Sequence, residues 1–248
     1  SDLLLVAARP GRGKTSFVLS VALHAIKMAH KRVAVFSLEM SNDQLASRLI
    51  AQETGINSQR LLQGRLEEDE WSRFTQAVNL VSETGLYLDD TPAISALSLR
   101  TKCRRLHSEV KLDLIVVDYL QLMTADSRHE NRVQEVSYIS RSLKRLAREL
   151  NVPVLAAAQL SRAVEQRAGQ KAILSDLRES GSLEMDSDVV MFLHHPDEWD
   201  DDPNKKNLTE LIVAKHRNGP TGSVNLIFLE SLAKFVDAET RTVSFDLA

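Results

Sequence analysis

The chain has 248 residues, of which 43% are hydrophobic and 26% charged, and its formal net charge is −3. That length buries a sizeable core, and that composition excludes a disordered, collagen-like or disulfide-stapled chain. A single cysteine, Cys103, fits a reducing, cytoplasmic setting, and the mildly acidic balance leaves any nucleic-acid contact to local patches rather than to a global field.

The sequence starts at Ser1 and enters a strand-like run at Leu3, so it reads as a fragment cut just before its first core strand. The apolar stretch from Leu3 to Ala8 is far too short to span a bilayer, and no charged leader with an apolar segment opens the chain. No membrane association is expected. Strand-length apolar runs recur at Leu3–Ala7, Arg32–Ser37, Leu86–Leu88, Leu112–Val117 and Val152–Ala158. Within the fourth, Leu114-Ile115-Val116-Val117 does not alternate, as expected of a parallel strand buried on both faces. Helical patterns separate the runs. Ser41 and Gln44 form a capping box, Gly85 closes a helix before Leu86, and Val133, Val136, Ile139, Leu143, Leu146 and Leu150 mark one helix face. Strands alternating with helices predict a doubly wound α/β domain. After Val189 the runs 189–195, 208–215, 223–229, 233–237 and 241–246 are joined by short turns and read as antiparallel strands extending the parallel sheet. The stretch 160–187 has no clear periodicity and reads as a long functional loop.

Chemistry concentrates at the strand ends, where open α/β sheets bind ligands. Ala8-Arg9-Pro10-Gly11-Arg12-Gly13-Lys14-Thr15 follows the first strand and opens a helix. It matches the phosphate-loop pattern G-x-x-x-x-G-K-[ST] with Ala8 in place of the first glycine. Backbone N–H groups there wrap a phosphate and the helix N-terminus adds positive potential. Lys14 reaches the β/γ oxygens and Thr15 ligates Mg²⁺. Ala8 to Ser16 are the expected nucleotide-binding positions. Asp118, after four apolar residues, is the second expected Mg²⁺ residue. Tyr119 follows it, so the carboxylate that orients the attacking water comes from elsewhere. Glu39, beyond the second strand, is best placed, with a helix-start glutamate as the alternative. Gln159 is a candidate γ-phosphate ligand or a strand-end amide capping a turn. Asp89-Asp90 reads as turn residues.

Other charged stretches read as solvated surface: Arg141, Lys144, Arg145 and Arg148; Arg100, Lys102, Arg104 and Arg105; and the acidic run Asp197, Glu198, Asp200, Asp201 and Asp202, which lacks the pattern of a calcium loop. His194 and His195 point to opposite strand faces and do not share a metal. The 160–187 stretch mixes both signs and holds no aromatic residue, so base stacking is not available to it.

Several motifs occur in order: Ala7-Ala8-Arg9-Pro10 leading into Gly13-Lys14-Thr15, Ser37-Leu38-Glu39-Met40, Asp118-Tyr119-Leu120-Gln121-Leu122, Gln159-Leu160-Ser161-Arg162, Asp176-Leu177-Arg178-Glu179-Ser180-Gly181 and Lys215-His216-Arg217-Asn218-Gly219. Together they resemble the C-terminal motor domain of DnaB-type replicative helicases, hexameric RecA-like ATPases that move on single-stranded DNA. The resemblance covers essentially the whole chain, with Gly11-Arg12 where many members carry Ser-Met. It implies a RecA-like P-loop NTPase fold, with a mostly parallel twisted sheet flanked by helices and antiparallel strands at the C-terminal end. It implies ATP and Mg²⁺ as ligands, Glu39 as catalytic glutamate and Gln159 as γ-phosphate sensor. Arg178, Glu179 and Gly181 would face DNA in the ring channel. Lys215 and Arg217 would reach the ATP of the neighbouring subunit. It also implies a homo-hexamer in the full-length protein, with primase and a helicase loader as partners. The family's N-terminal helical domain and linker helix lie outside this sequence. From the residues alone, a recombinase-like or clock-type ATPase, a small-molecule kinase and a nucleotide-switched binding module stay open. Glu39 argues against the last.

Overall fold

The computed structural model describes residues 1–127, 129–160, 171–196, 199–202 and 204–238, with the backbone alone at 178–181. The expected strand 241–246 and the 161–170 part of the expected loop lie outside the described residues. β1 (Leu3–Ala8), β2 (Val33–Ser37), β3 (Leu86–Asp89), β4 (Leu114–Asp118), β5 (Val154–Gln159), β6 (Val189–His194), β7 (Leu208–His216), β8 (Gly222–Leu229) and β9 (Lys234–Asp237) form one sheet, in the order β3-β2-β4-β5-β1-β6-β7-β8-β9. β1 to β5 pair in parallel, and every residue of β2 is buried, as unbroken apolar strands require. β6 corrects the expectation for the late strands: it still runs parallel to β1, and antiparallel pairing begins only at β7.

Helices cover both faces of the sheet. On one lie α1 (Lys14–Ala29) and α2 (Asn42–Thr54), packing Val18, Leu19, Ala22, Leu45 and Leu49 against Val6, Val35 and Val116. α3 (Ser58–Leu62) and α4 (Glu70–Glu83) follow α2. The other face carries α5 (Ala96–Val110) and α6 (Arg132–Leu150), with Leu99, Cys103, Val136, Ile139, Leu143 and Leu146 against Leu5, Ile115 and Val117. Burial pushes the Cys103 thiol up to about 12, so it is an inert core residue. Val133, expected on the apolar face, is 45% exposed in the first turn of α6.

The capping box is present: Ser41 Oγ accepts from Gln44 N–H, and Gln44 reaches back to the Ser41 N–H. Gly85 acts differently from the expected helix stop. Thr84 caps α4, and a Cβ on Gly85 would stand 2.8 Å from the Arg32 side chain, so glycine is needed there for close approach. Residues 171–187 are also not a simple loop. A 3-10 segment, Leu174–Ser180, runs into α7 (Gly181–Asp186), and Leu177 and Leu183 bury in the α6-side core.

Candidate nucleotide site

β1 delivers the chain to the phosphate loop at Ala8, which is fully buried. Gly11 and Gly13 hold φ angles of +74° and +80°, where L side chains are strained. A Cβ on Gly13 would also stand 2.9 Å from the Phe235 ring. Gly13 is the N-cap of α1 and no side chain caps that end, so the first-turn N–H groups are available to an anion. The loop opens on a cavity of about 660 Å³ whose lining includes Pro10, Gly11, Gly13, Lys14, Thr15, Ser16, Glu39 and Gln159. Of the expected nucleotide positions, Ala8, Arg9 and Arg12 are not in that lining. Arg12 turns outward, 3.4 Å from Asp200.

β2 and β4 end side by side and place the two acidic candidates. Leu38 N–H donates to the Asp118 carbonyl at 2.8 Å, and Ser37 Oγ both donates to the Met40 carbonyl and accepts from the Met40 N–H. This turn projects Glu39 into the cavity, exposed and ahead of α2, so it is not a helix-start residue. Asp118 is 1% exposed and neither carboxylate oxygen has a hydrogen-bond partner. Burial pushes its pKa up and neighbouring Glu39 adds to that, while the Thr15 hydroxyl, Lys14 and Arg48 oppose it. A buried carboxylate beside the Thr15 hydroxyl at the phosphate loop fits a hard divalent cation. Lys14 Nζ lies 5.5 Å from the Tyr119 ring centroid. Desolvation lowers its pKa, and Asp118 and Glu39 work against that shift.

Sequence reasoning missed part of the cavity wall. Gln44 and Arg48 line it from α2, one turn apart. A polar pair four residues apart, each member just before a buried leucine (Leu45 and Leu49), was the available signal. Desolvation lowers the Arg48 pKa, against the pull of Asp118 and Glu39. Phe228, Glu230 and Ala233 close the far side from the C-terminal strands, with Phe228 stacked on Phe235 at 4.6 Å.

Lys215 and Arg217 are not brought to this cavity. β7 runs antiparallel to β6, so Arg217 pairs by its N–H with the Asp188 carbonyl, while Ala8 faces Leu193. From Asp188 to Leu193 is five positions, or roughly 16 Å at about 3.3 Å per residue. Both cations turn toward the C-terminal end of α7. Lys215 Nζ donates to the Glu184 and Ser187 carbonyls and Arg217 Nη2 to the Met185 carbonyl. The backbone of Arg178, Glu179 and Gly181 lies at the junction leading into α7.

Of the surface stripes, Arg141, Arg145 and Arg148 are exposed, but Lys144 is an internal ion pair with Asp188. Arg100 and Arg104 share Glu149, and Lys102 holds Asp89 at the end of β3. In the acidic run, Asp197 and Glu198 lie outside the described residues, and Asp200 joins Arg12 and His195. No cluster among the described residues could hold a metal ion through His, Cys, Asp and Glu alone.

A family model described as "DnaB-like helicase C terminal domain" matches residues 1–237. The chain belongs to this family. The replicative DNA helicase DnaB of Geobacillus stearothermophilus is 51% identical over 242 residues, covering 97% of this chain and 53% of that protein. The replicative DNA helicase DnaC of Bacillus subtilis (strain 168) is 49% identical over 242 residues with the same coverage. The chain thus spans about half the length of the curated relatives it matches. A solved structure described as an ATPase domain superposes with a TM-score of 0.90 at 38% identity, over 96% of this chain and 85% of that one. A DnaB-like replicative helicase described with its primase interactions gives a TM-score of 0.90 at 38% identity, over 96% of this chain and 57% of that one. The mixed sheet, with its antiparallel C-terminal strands, is therefore the RecA-like fold of DnaB-like ATPase domains.

Proposed function

We propose that residues 1–248 are the motor domain of a replicative DNA helicase, hydrolysing ATP at the subunit interfaces of a homo-hexameric ring to move on single-stranded DNA. The observation that carries this reading is a division of the site. One end of the sheet gathers Lys14, Thr15, Glu39 and Gln159 around a cavity backed by Asp118. Lys215 and Arg217 sit at the other end, out of reach of their own cavity. A second copy, stacked so that its β7 tip meets the first copy's cavity, completes the site.

The roles follow from the chemistry of each group. Lys14 and the α1 N-terminus neutralise phosphate charge, and burial keeps that interaction in a low dielectric. Thr15 and Asp118 would hold Mg²⁺, which supplies further charge neutralisation on the phosphate oxygens. Glu39 accepts the proton of the attacking water. Gln159 hydrogen-bonds the terminal phosphate. Lys215 and Arg217 of the neighbour stabilise charge in the transition state. Arg178, Glu179 and Gly181 contact DNA phosphates, a role in which backbone N–H groups need no basic loop.

Primase and a helicase loader are the partners expected of the whole protein. Primase is named with one solved relative. Among the described residues no helix is long and apolar enough to cross a membrane. The test is ATP turnover by the full-length protein across a range of protein concentrations, with and without single-stranded DNA. Specific activity is expected to rise as rings form and to rise again with DNA. Turnover indifferent to both, or phosphotransfer to a small metabolite, would replace this reading.

A further inference from the structure

Gln159 is held from both sides, and only one hold belongs to the sheet. On the β1 side the ladder continues, with Gln159 opposite Ala8 and the Leu160 N–H donating to the Ala8 carbonyl at 3.1 Å. On the β4 side the ladder stops at Val117 opposite Ala156, because β4 ends at Asp118 and the chain bends into the short turn Leu120–Leu122. The Gln159 N–H and C=O would face an empty strand position there. The Gln121 side chain fills it. Its Nε2 donates to the Gln159 carbonyl at 2.9 Å, and its Oε1 accepts from the Gln159 N–H at 3.1 Å. A primary amide carries one donor edge and one acceptor side by side, as a peptide group does, so the side chain replaces a rung of backbone pairing.

Gln121 is itself anchored. Leu120, which opens the turn, and Met123, which follows it, are 0% and 1% exposed. Its carbonyl accepts from the Arg132 guanidinium at the start of α6, and Glu135 grips Arg132. The clamp therefore joins the turn after Asp118 to the peptide of Gln159, which lines the nucleotide cavity.

We infer that Gln121 is a positioning residue that fixes the Gln159 peptide plane, and so aims the Gln159 amide at the terminal phosphate. This rests on the proposed role of Gln159. Without the clamp, β5 frays at its last residue and the Gln159 side chain samples directions away from the phosphate. The interaction is lost in the transition state more than in ground-state binding.

The test is a double-mutant cycle on the full-length hexamer, using Gln121→Met, Gln159→Ala and the pair, with kcat and KM for ATP measured separately. Gln121→Met keeps length and removes both hydrogen bonds. It is expected to lower kcat about tenfold, within the roughly 100-fold that a misplacement of about 1 Å can cost, with KM nearly unchanged. In the Gln159→Ala background it should cost almost nothing further. Gln121→Glu retains the acceptor but sets a carboxylate against the Gln159 carbonyl, and it should show the same pattern if the methionine variant does not fold. An additive cycle, or full kcat in either folded Gln121 variant beside a crippled Gln159→Ala, overturns the positioning role alone. Wild-type turnover in Gln159→Ala overturns the role of Gln159 and this inference with it.

Discussion

Arg217 Nη1 lies 3.1 Å from Asp188 Oδ1, and the Arg217 N–H donates to the Asp188 carbonyl at 2.8 Å. The carboxylate side chain is 4% exposed and the arginine side chain 43%. Asp188 also accepts from the Leu3 N–H and pairs with Lys144. A buried anion tied to β1 and α6 therefore holds the Arg217 guanidinium head, which also donates to the Met185 carbonyl. In the proposed ring, Arg217 would exchange these contacts for the neighbour's nucleotide while its backbone stays pinned to Asp188.

Arg217→Ala should lose most ATP hydrolysis while each subunit still binds nucleotide, since a trans arginine contributes on the order of 10³–10⁵ in rate. Lys14→Ala should also be inactive, through loss of phosphate binding in cis. Mixed rings contain interfaces that pair an intact phosphate loop with an intact Arg217, so activity should return in proportion to those interfaces. No recovery in rings shown to be mixed would remove the trans role.

Asp188 also sets a pH dependence. Burial alone would raise its pKa, but hydrogen bonds from Lys144 and the Leu3 N–H, with the charges of Lys144 and Arg217, hold it below the ordinary 3.8. A carboxylate depressed in the folded state contributes stability that is present above its unfolded pKa and lost as pH falls through the folded value. Asp188→Asn should therefore unfold at lower urea than the parent at neutral pH, by on the order of 2 kcal/mol. The gap should close as pH falls below about 3.8. Urea midpoints measured at neutral and acid pH check this, and a gap that stays constant would assign the loss to packing.

Much of this architecture was legible from local pattern. The buried strands are unbroken apolar runs, and Asp118 and Gln159 fall on the last residues of β4 and β5. What local pattern does not carry is direction and distance. β6 runs parallel because the chain crosses over through the 3-10 segment and α7, which are too short to show periodicity and are held by Leu177 and Leu183 in the core. Arg48 joins the cavity only because Leu45 and Leu49 bury α2 against the sheet. Lys144 reads as part of a solvated stripe, because Asp188 lies 44 residues away in sequence. Phe228 and Glu230 reach the cavity only through the order of the sheet.

Glu39→Gln separates binding from chemistry. The amide keeps the shape of the side chain beyond the Ser37–Met40 turn but cannot take a proton. Hydrolysis should fall by roughly 10²–10⁴, the usual contribution of a general base, with nucleotide affinity retained. Normal turnover in this variant, together with loss in a different carboxylate variant, would move the catalytic role to that other residue.

Asp118 makes the last prediction, because its two roles pull in opposite directions. Its carboxylate oxygens are buried without a hydrogen-bond partner, and burial raises its pKa despite Thr15, Lys14 and Arg48 nearby. A charge in that position costs folding free energy, since Thr15, Lys14 and Arg48 offset only part of the burial. Asp118→Asn removes the charge at almost constant volume. The nucleotide-free, metal-free variant should therefore melt at or above the parent temperature, by up to about 1–3 kcal/mol of relieved desolvation. The same change should abolish the extra stabilisation that Mg²⁺ adds in the presence of a non-hydrolysable ATP analogue, because that gain scales with ligand binding to the native state alone. Thermal melts with nucleotide, with and without Mg²⁺, read both effects in one experiment. A variant that melts well below the parent when empty would show that Lys14 and Arg48 already compensate the carboxylate. A variant that keeps the full Mg²⁺ shift would take Asp118 out of the cation site.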